Sequence, residues 1–240
     1  MAGLVGCHIS LSYEPMIASL RSIAQRSVPA FMCLAAVASA TAAEIDERSP
    51  ELFKEWKGAN EQRVAPYERF LEQRQALGTV PMHQLLRTSF DWRKEACRKV
   101  SAPPFDVPPD ESWDRMAATL RLVSELRATG SLPDYEVVSA YRTPTVNKCS
   151  SSKSDRHIKN AALDLVFSDA SAMEAATLRL CTFFWRDGEP RSMGLGFYGK
   201  SHKWPYGRIH IDTLRYQTWG PDTKRDTSPC LRVARVHRAR

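Results

Sequence analysis

The sequence predicts an α+β domain, a small antiparallel sheet with flanking helices, preceded by a helical N-terminal extension. Short stretches rich in β-branched and aromatic residues recur in the second half, at 135–142, 161–167, 193–198 and 208–213. Only one helix-length amphipathic stretch, 172–185, falls between them, so the regular strand-helix alternation of a doubly wound parallel sheet is missing. At 240 residues, 43% hydrophobic and 25% charged, the chain has material for one good core.

Residues 1–43 read as a secretory signal peptide: Arg21 and Arg26 precede the apolar run 28–38, and small residues up to Ala43 offer cleavage points. The run is shorter than the roughly 20 apolar residues of a membrane-spanning helix. Met16 would give a more usual leader length than Met1, and a buried N-terminal helix is the competing reading. Removing this stretch, with Arg21, Arg26 and Glu14, takes the formal charge from +7 to +6 and leaves no segment for stable membrane insertion. A moderate positive charge serves solubility or favours an anionic polymer, and in an exported protein it points to cell-envelope acids rather than nucleic acid. Cys97, Cys149, Cys181 and Cys230 remain. An even count in an oxidising compartment permits disulfides in any of three pairings, and the absence of C-x-x-C spacing argues against a thiolate metal site.

The extension, 44–110, is polar and helical, with Tyr67, Phe70, Leu71 and Leu77 near helical spacing, and either braces the domain or gates its cleft. Pro103, Pro104, Pro108 and Pro109 make its end rigid. The catalytic-type domain spans 111–220. Ser112 is placed to cap a helix with Met116, Leu120 and Val123 on one face, ended by Gly130. The strand 135–142 comes next, then a polar loop 147–153, the strand 161–167, the helix 172–185 and the two last strands. Residues 221–240, with Arg232, Arg235, Arg238 and Arg240, read as a loose basic tail.

The chemistry gathers around His157, Asp164, His210 and Asp212. Strand alternation puts Arg208, His210 and Asp212 on one face and Ile209 and Ile211 on the other. Asp164 lies in the middle of an apolar strand, where an unpaired carboxylate is costly, so it needs a cation: a salt-bridge partner or a metal. Two imidazoles and one carboxylate form a three-ligand set that leaves a tetrahedral Zn²⁺ one open position for water. His202 lies in the loop 199–206, long enough to fold over a cleft, and is a candidate proton donor or a merely exposed residue. A nucleophilic alternative on Cys149 or Ser150–Ser152 lacks a positioned motif such as G-x-S-x-G.

Taken together, Ser139-Ala140-Tyr141-Arg142-Thr143-Pro144 with Asn147, His157 and Asp164 seven apart, Gly194-Leu195-Gly196-Phe197-Tyr198, His210-x-Asp212 and Trp219-Gly220 resemble the peptidase M15 zinc D-alanyl-D-alanine carboxypeptidases. The similarity is to the peptidoglycan-hydrolase branch with the compact hedgehog-like fold. It implies that His157, Asp164 and His210 bind Zn²⁺ and that Arg142, with Ser139 and Tyr141, contacts a substrate carboxylate, which a planar guanidinium fork suits. Peptidoglycan stem peptides would be the substrates. Three positions depart from the pattern. Asp155 and Asn160 replace a common Ser and Gly around the first histidine, and Gly207 stands where several branches carry an acidic general base. Asp212 then becomes the candidate base, or else an orienter of His210. The resemblance implies a secreted zinc peptidase; the altered motif leaves a non-catalytic wall- or protein-binding module of the same fold as the alternative.

Overall fold

The structure, a computed structural model, describes residues 50–89 and 92–238, so the expected signal peptide lies outside the described residues. α1 (Pro50–Gln73) carries Val64, Tyr67 and Leu71 on its buried face at helical spacing, and bends at Asn60. There the Asn60 side-chain amide donates to the Trp56 carbonyl at 2.9 Å, a local bond that competes with the helix ladder. Two single-turn helices, α2 (Met82–Leu85) and α3 (Glu95–Arg98), lead to α4 (Trp113–Ala128). Ser112 precedes α4 without capping it, because its hydroxyl donates instead to the Pro109 carbonyl at 2.6 Å.

β1 (Glu136–Ser139) is followed by α5 (Pro144–Cys149), which Thr143 caps by accepting from Val146 N. β2 (Ala162–Val166) leads to α6 (Ala170–Asp187), capped by Asp169. β3 (Gly194–Tyr198), β4 (Arg208–Asp212), β5 (Gln217–Trp219) and α7 (Pro229–Arg238) complete the chain. The sheet order is β1-β2-β4-β3-β5. The α+β class holds, with one correction: β5 runs parallel to β3, so the sheet is mixed rather than antiparallel. The chain leaves β4 beside Gly194, turns in four residues past the start of β3 and comes back along its free edge.

Two further expectations change. The polar stretch 147–153 begins as the last turn of α5, and the tail is no loose segment but carries α7, joined to α6 by the Cys181–Cys230 disulfide. The second disulfide, Cys97–Cys149, joins α3 to α5. Among the described residues no helix is long and apolar enough to cross a membrane.

The sheet has two unlike faces. Leu163, Leu165, Leu195, Ile209 and Ile211 are buried in one hydrophobic cluster with α4 (Met116, Leu120) and α6 (Leu180, Phe184). Each such side chain contributes roughly 1.5–3 kcal/mol. α1 belongs to the same cluster through Tyr67 and Leu71, and Tyr67 meets Trp113 of α4 with ring centres 5.1 Å apart. The described extension therefore braces the core. The opposite face carries the polar residues, and the ladder register lines up Ser139, Asp164, His210, Gly196 and Trp219 in one row across all five strands.

Candidate metal centre

His157 comes from the turn between α5 and β2. Asn160 closes that turn in the left-handed region, at φ 52°, with its N–H donating to the His157 carbonyl at 3.1 Å. Asparagine tolerates this conformation better than most residues other than glycine, so it can close the turn. The His157 ring is buried, and its Nδ1 lies 2.6 Å from the Ala140 carbonyl oxygen. A carbonyl only accepts, so Nδ1 carries the proton and Nε2 presents a lone pair. That Nε2 has no hydrogen-bond partner, yet stands 3.3 Å from Asp164 Oδ1. Burial, reinforced by the Arg142 charge, lowers the His157 pKa to about 4, so the ring is neutral at pH 7.

Asp164 divides its oxygens between two tasks. Oδ2 accepts from Arg142 Nη2 at 2.8 Å and from Arg208 Nη1 at 3.2 Å. Oδ1 faces both histidines, with His210 Nδ1 at 2.9 Å. Burial works against the carboxylate's charge, but His210 and Arg208 outweigh it and hold the group well below the ordinary carboxylate range. Arg142 is itself aimed: its Nε donates to Ser139 Oγ at 2.8 Å, and that hydroxyl donates to the Thr88 carbonyl at 2.9 Å.

His210 stands between two carboxylates. Its Nε2 is 3.2 Å from Asp212 Oδ2, and burial, which lowers its pKa, is outweighed by Asp164 and Asp212, which raise it. Asp212 is fully buried; it accepts from His210 Nε2 and from Leu214 N at 2.9 Å, and it pairs with the Arg156 guanidinium, Nε at 2.9 Å. The sheet makes room for this arrangement with glycine. A Cβ on Gly194 would run into the Asp212 carboxylate, and one on Gly196 into the Trp219 indole, whose ring centre lies 5.2 Å from that of His210.

One ligand atom from each of His157, Asp164 and His210 can be chosen so that all lie within 4.8 Å of one another, and the three can hold a metal ion. The donor set fits a cation for a specific reason: a neutral imidazole lone pair and an ionised carboxylate oxygen face each other with no proton between them. Without a cation that juxtaposition is repulsive.

Not every residue expected at the site is there. Ser139 and Arg142 reach it, the second directly on Asp164. Tyr141 lines a different surface pocket, of about 480 Å³, with Arg63, Asp106 and Trp113. His202 is exposed on the loop between β3 and β4, and none of the contacts that hold the triad involves it. Asp155 is exposed and pairs with Lys159 at 2.6 Å. Gly207 adopts φ +88°, and a Cβ there would approach the Tyr198 carbonyl oxygen to 2.5 Å, so an acidic side chain has no place at that position. Arg156 and the anchoring role of Arg208 went unread in the sequence. Arg208 was legible as a third member of the polar face of β4; Arg156, in an irregular turn, carries no periodic signal. Comparison of the chain with protein-family models, with curated proteins and with solved structures returns no match.

Proposed function

We propose that the protein is a secreted zinc peptidase that hydrolyses D-amino-acid peptide bonds in peptidoglycan stem peptides, as a carboxypeptidase or a cross-link endopeptidase. The observation that carries the metal part is the unprotonated His157 Nε2 facing Asp164 Oδ1 at 3.3 Å. Two imidazoles and one carboxylate suit zinc and leave a coordination position for water and substrate. The choice of reaction rests on the order and spacing of the four motifs that resemble peptidase M15 enzymes. Export is supported by the leader-like residues 1–43 and agrees with the two disulfides.

When bound, zinc supplies Lewis acidity that polarises a carbonyl and lowers the pKa of water. The chain's own residues do the rest. Arg142 and Arg208 turn Asp164 so that Oδ1 faces the two imidazoles. Their charges also give the cleft a pull on the carboxylates of a stem peptide, with Arg142 as the principal contact. Asp212 keeps a proton on His210 Nε2 and so leaves Nδ1 for the cation. With two hydrogen bonds and an ion pair already on its carboxylate, Asp212 is assigned the orienting role and not that of general base.

A specific observation also favours the non-catalytic alternative: Gly207 excludes an acid and Asp212 is fully engaged. Incubation of zinc-loaded protein with defined muropeptides, with and without chelator, separates the two. Chelator-sensitive release of D-alanine or cleavage of cross-linked dimers is expected. Stoichiometric zinc with neither product would leave a binding module, and failure to retain zinc would overturn the peptidase reading.

A further inference from the structure

We infer that Arg156 is a positioning residue of the centre: through Asp212 it fixes the His210 imidazole and locks the two histidine-bearing segments together. The inference rests on the reading of His157, Asp164 and His210 as a metal centre.

Arg156 immediately precedes His157 in the turn, whereas Asp212 ends β4 two residues after His210. The Arg156 Nε–Asp212 Oδ2 contact of 2.9 Å is therefore a bridge between the segments that supply the two imidazoles. Three further restraints hold the guanidinium. Its carbon lies 4.7 Å from the centre of the Trp219 ring, Nη1 donates to Ser154 Oγ at 3.1 Å, and the Gln217 side chain lies against it, its amide oxygen able to accept from the guanidinium once the amide is turned that way. Gln217 and Trp219 are the two ends of β5, so the strand that the sequence did not reveal forms one jaw of the clamp.

The effect reaches the ring through shared atoms. Asp212 Oδ2 pairs with the Arg156 guanidinium and accepts from His210 Nε2, and Oδ1 accepts from Leu214 N, so the carboxylate cannot rotate without losing a contact. A carboxylate with 0% exposure needs a cation to remain ionised; His210 and Arg156 both touch it, and Arg156 is the one that keeps its charge when a metal displaces the His210 Nδ1 proton. An ionised Asp212 accepts the Nε2 proton and thereby presents Nδ1 toward Asp164. Lysine at 156 would keep the charge, but its single ammonium cannot stack on Trp219 and bond Asp212 and Gln217 at once.

The test uses the full chain as wild type, Arg156→Gln, Arg156→Lys, Asp212→Asn and the Arg156→Gln/Asp212→Asn double variant. Zn²⁺ and Co²⁺ affinities are measured by competition titration, together with the visible Co²⁺ spectrum. Arg156→Gln is expected to weaken binding about 10–100-fold and to alter the Co²⁺ bands. Arg156→Lys should recover part of that loss. The double variant should bind no more weakly than Asp212→Asn alone, because both changes act on His210 by one route. Wild-type affinity and spectrum in Arg156→Gln, or fold-changes that multiply in the double variant, would overturn the inference. If wild type binds neither cation, the metal reading fails by itself. The ¹⁵N resonances of the His210 ring then decide: a shift in Arg156→Gln is expected, and unchanged resonances overturn the inference in that case too.

Discussion

His157 and His210 titrate in opposite directions, and the pH behaviour of the centre follows from that contrast. The first has its pKa lowered to about 4 by burial and Arg142; the second has its pKa raised because two carboxylates outweigh its burial. In metal-free protein, unfolded His157 takes a proton below its ordinary value of about 6.5, whereas folded His157 does not until about 4, so stability is lost as pH falls through that window. At 1.36 kcal/mol per unit the loss is on the order of 3 kcal/mol. His210 contributes fully below about 6.5, and its contribution is lost as pH rises through its raised folded pKa. Urea denaturation of chelator-treated protein is therefore expected to show a stability maximum near or just above pH ~6.5, falling on both sides. A monotonic rise from acid to alkaline pH would contradict the His210 assignment. Zinc should reverse the alkaline limb, since the cation takes the place of the His210 Nδ1 proton and binds better as that proton leaves. The ligands themselves were readable in the sequence, because two imidazoles and a carboxylate beside apolar strands are chemically conspicuous. Their supports were less so: Arg156 lies in a turn, and Tyr141, adjacent to Arg142 in sequence, lines a different pocket.

At the level of elements, strand alternation identified β2 and β4 because Leu163, Leu165, Ile209 and Ile211 mark one face continuously. β5 has three residues, two of them polar, too few for any period to register. α7 was obscured by its arginines, which hid an apolar contact: Cys230 is fully buried and Val233 packs partly on the core. The loop joining β3 to β4 gives the sharpest test at this scale. Gly207 N donates to the Trp204 carbonyl at 3.0 Å while the residue sits at φ +88° against the Tyr198 carbonyl. Restoring an acid by Gly207→Glu should cost roughly 2 kcal/mol or more, from left-handed strain and backbone collision combined. It should weaken zinc binding, and under the proposed peptidase reading lower activity rather than raise it, because Arg208, next in the chain, would move away from Asp164. A thermal melt and zinc affinity check this; a variant as stable as wild type with zinc affinity unchanged would contradict the exclusion of an acid at Gly207.

For the molecule as a whole, the two disulfides divide labour according to what they enclose. Sequence placed no constraint on pairing, and the structure joins Cys97 to Cys149 and Cys181 to Cys230, with separations of 52 and 49 residues. Loops of that size give each bond a similar chain-entropy contribution, about 4 kcal/mol before any native-state offset. Their consequences for the centre differ. Cys181–Cys230 fastens α7 to α6, beneath the apolar face of the sheet, and Trp185 Nε1 adds a bond to the Cys230 carbonyl at 2.8 Å. Cys97–Cys149 fastens α5, which lies between Arg142 and His157. From there Asn147 Nδ2 donates to the Ser152 and Ser154 carbonyls and shapes the approach to Arg156 and His157. Replacing Cys97 and Cys149 by serine should therefore lower both stability and zinc affinity, the latter about tenfold or more, by loosening the segment that carries His157. Replacing Cys181 and Cys230 should lower the melting temperature by a comparable amount and leave zinc affinity within about twofold, since no ligand or its support lies on α6 or α7. Paired melts and zinc titrations on the two double variants distinguish the cases, and equal loss of affinity in both would mean that the centre depends on global stability alone.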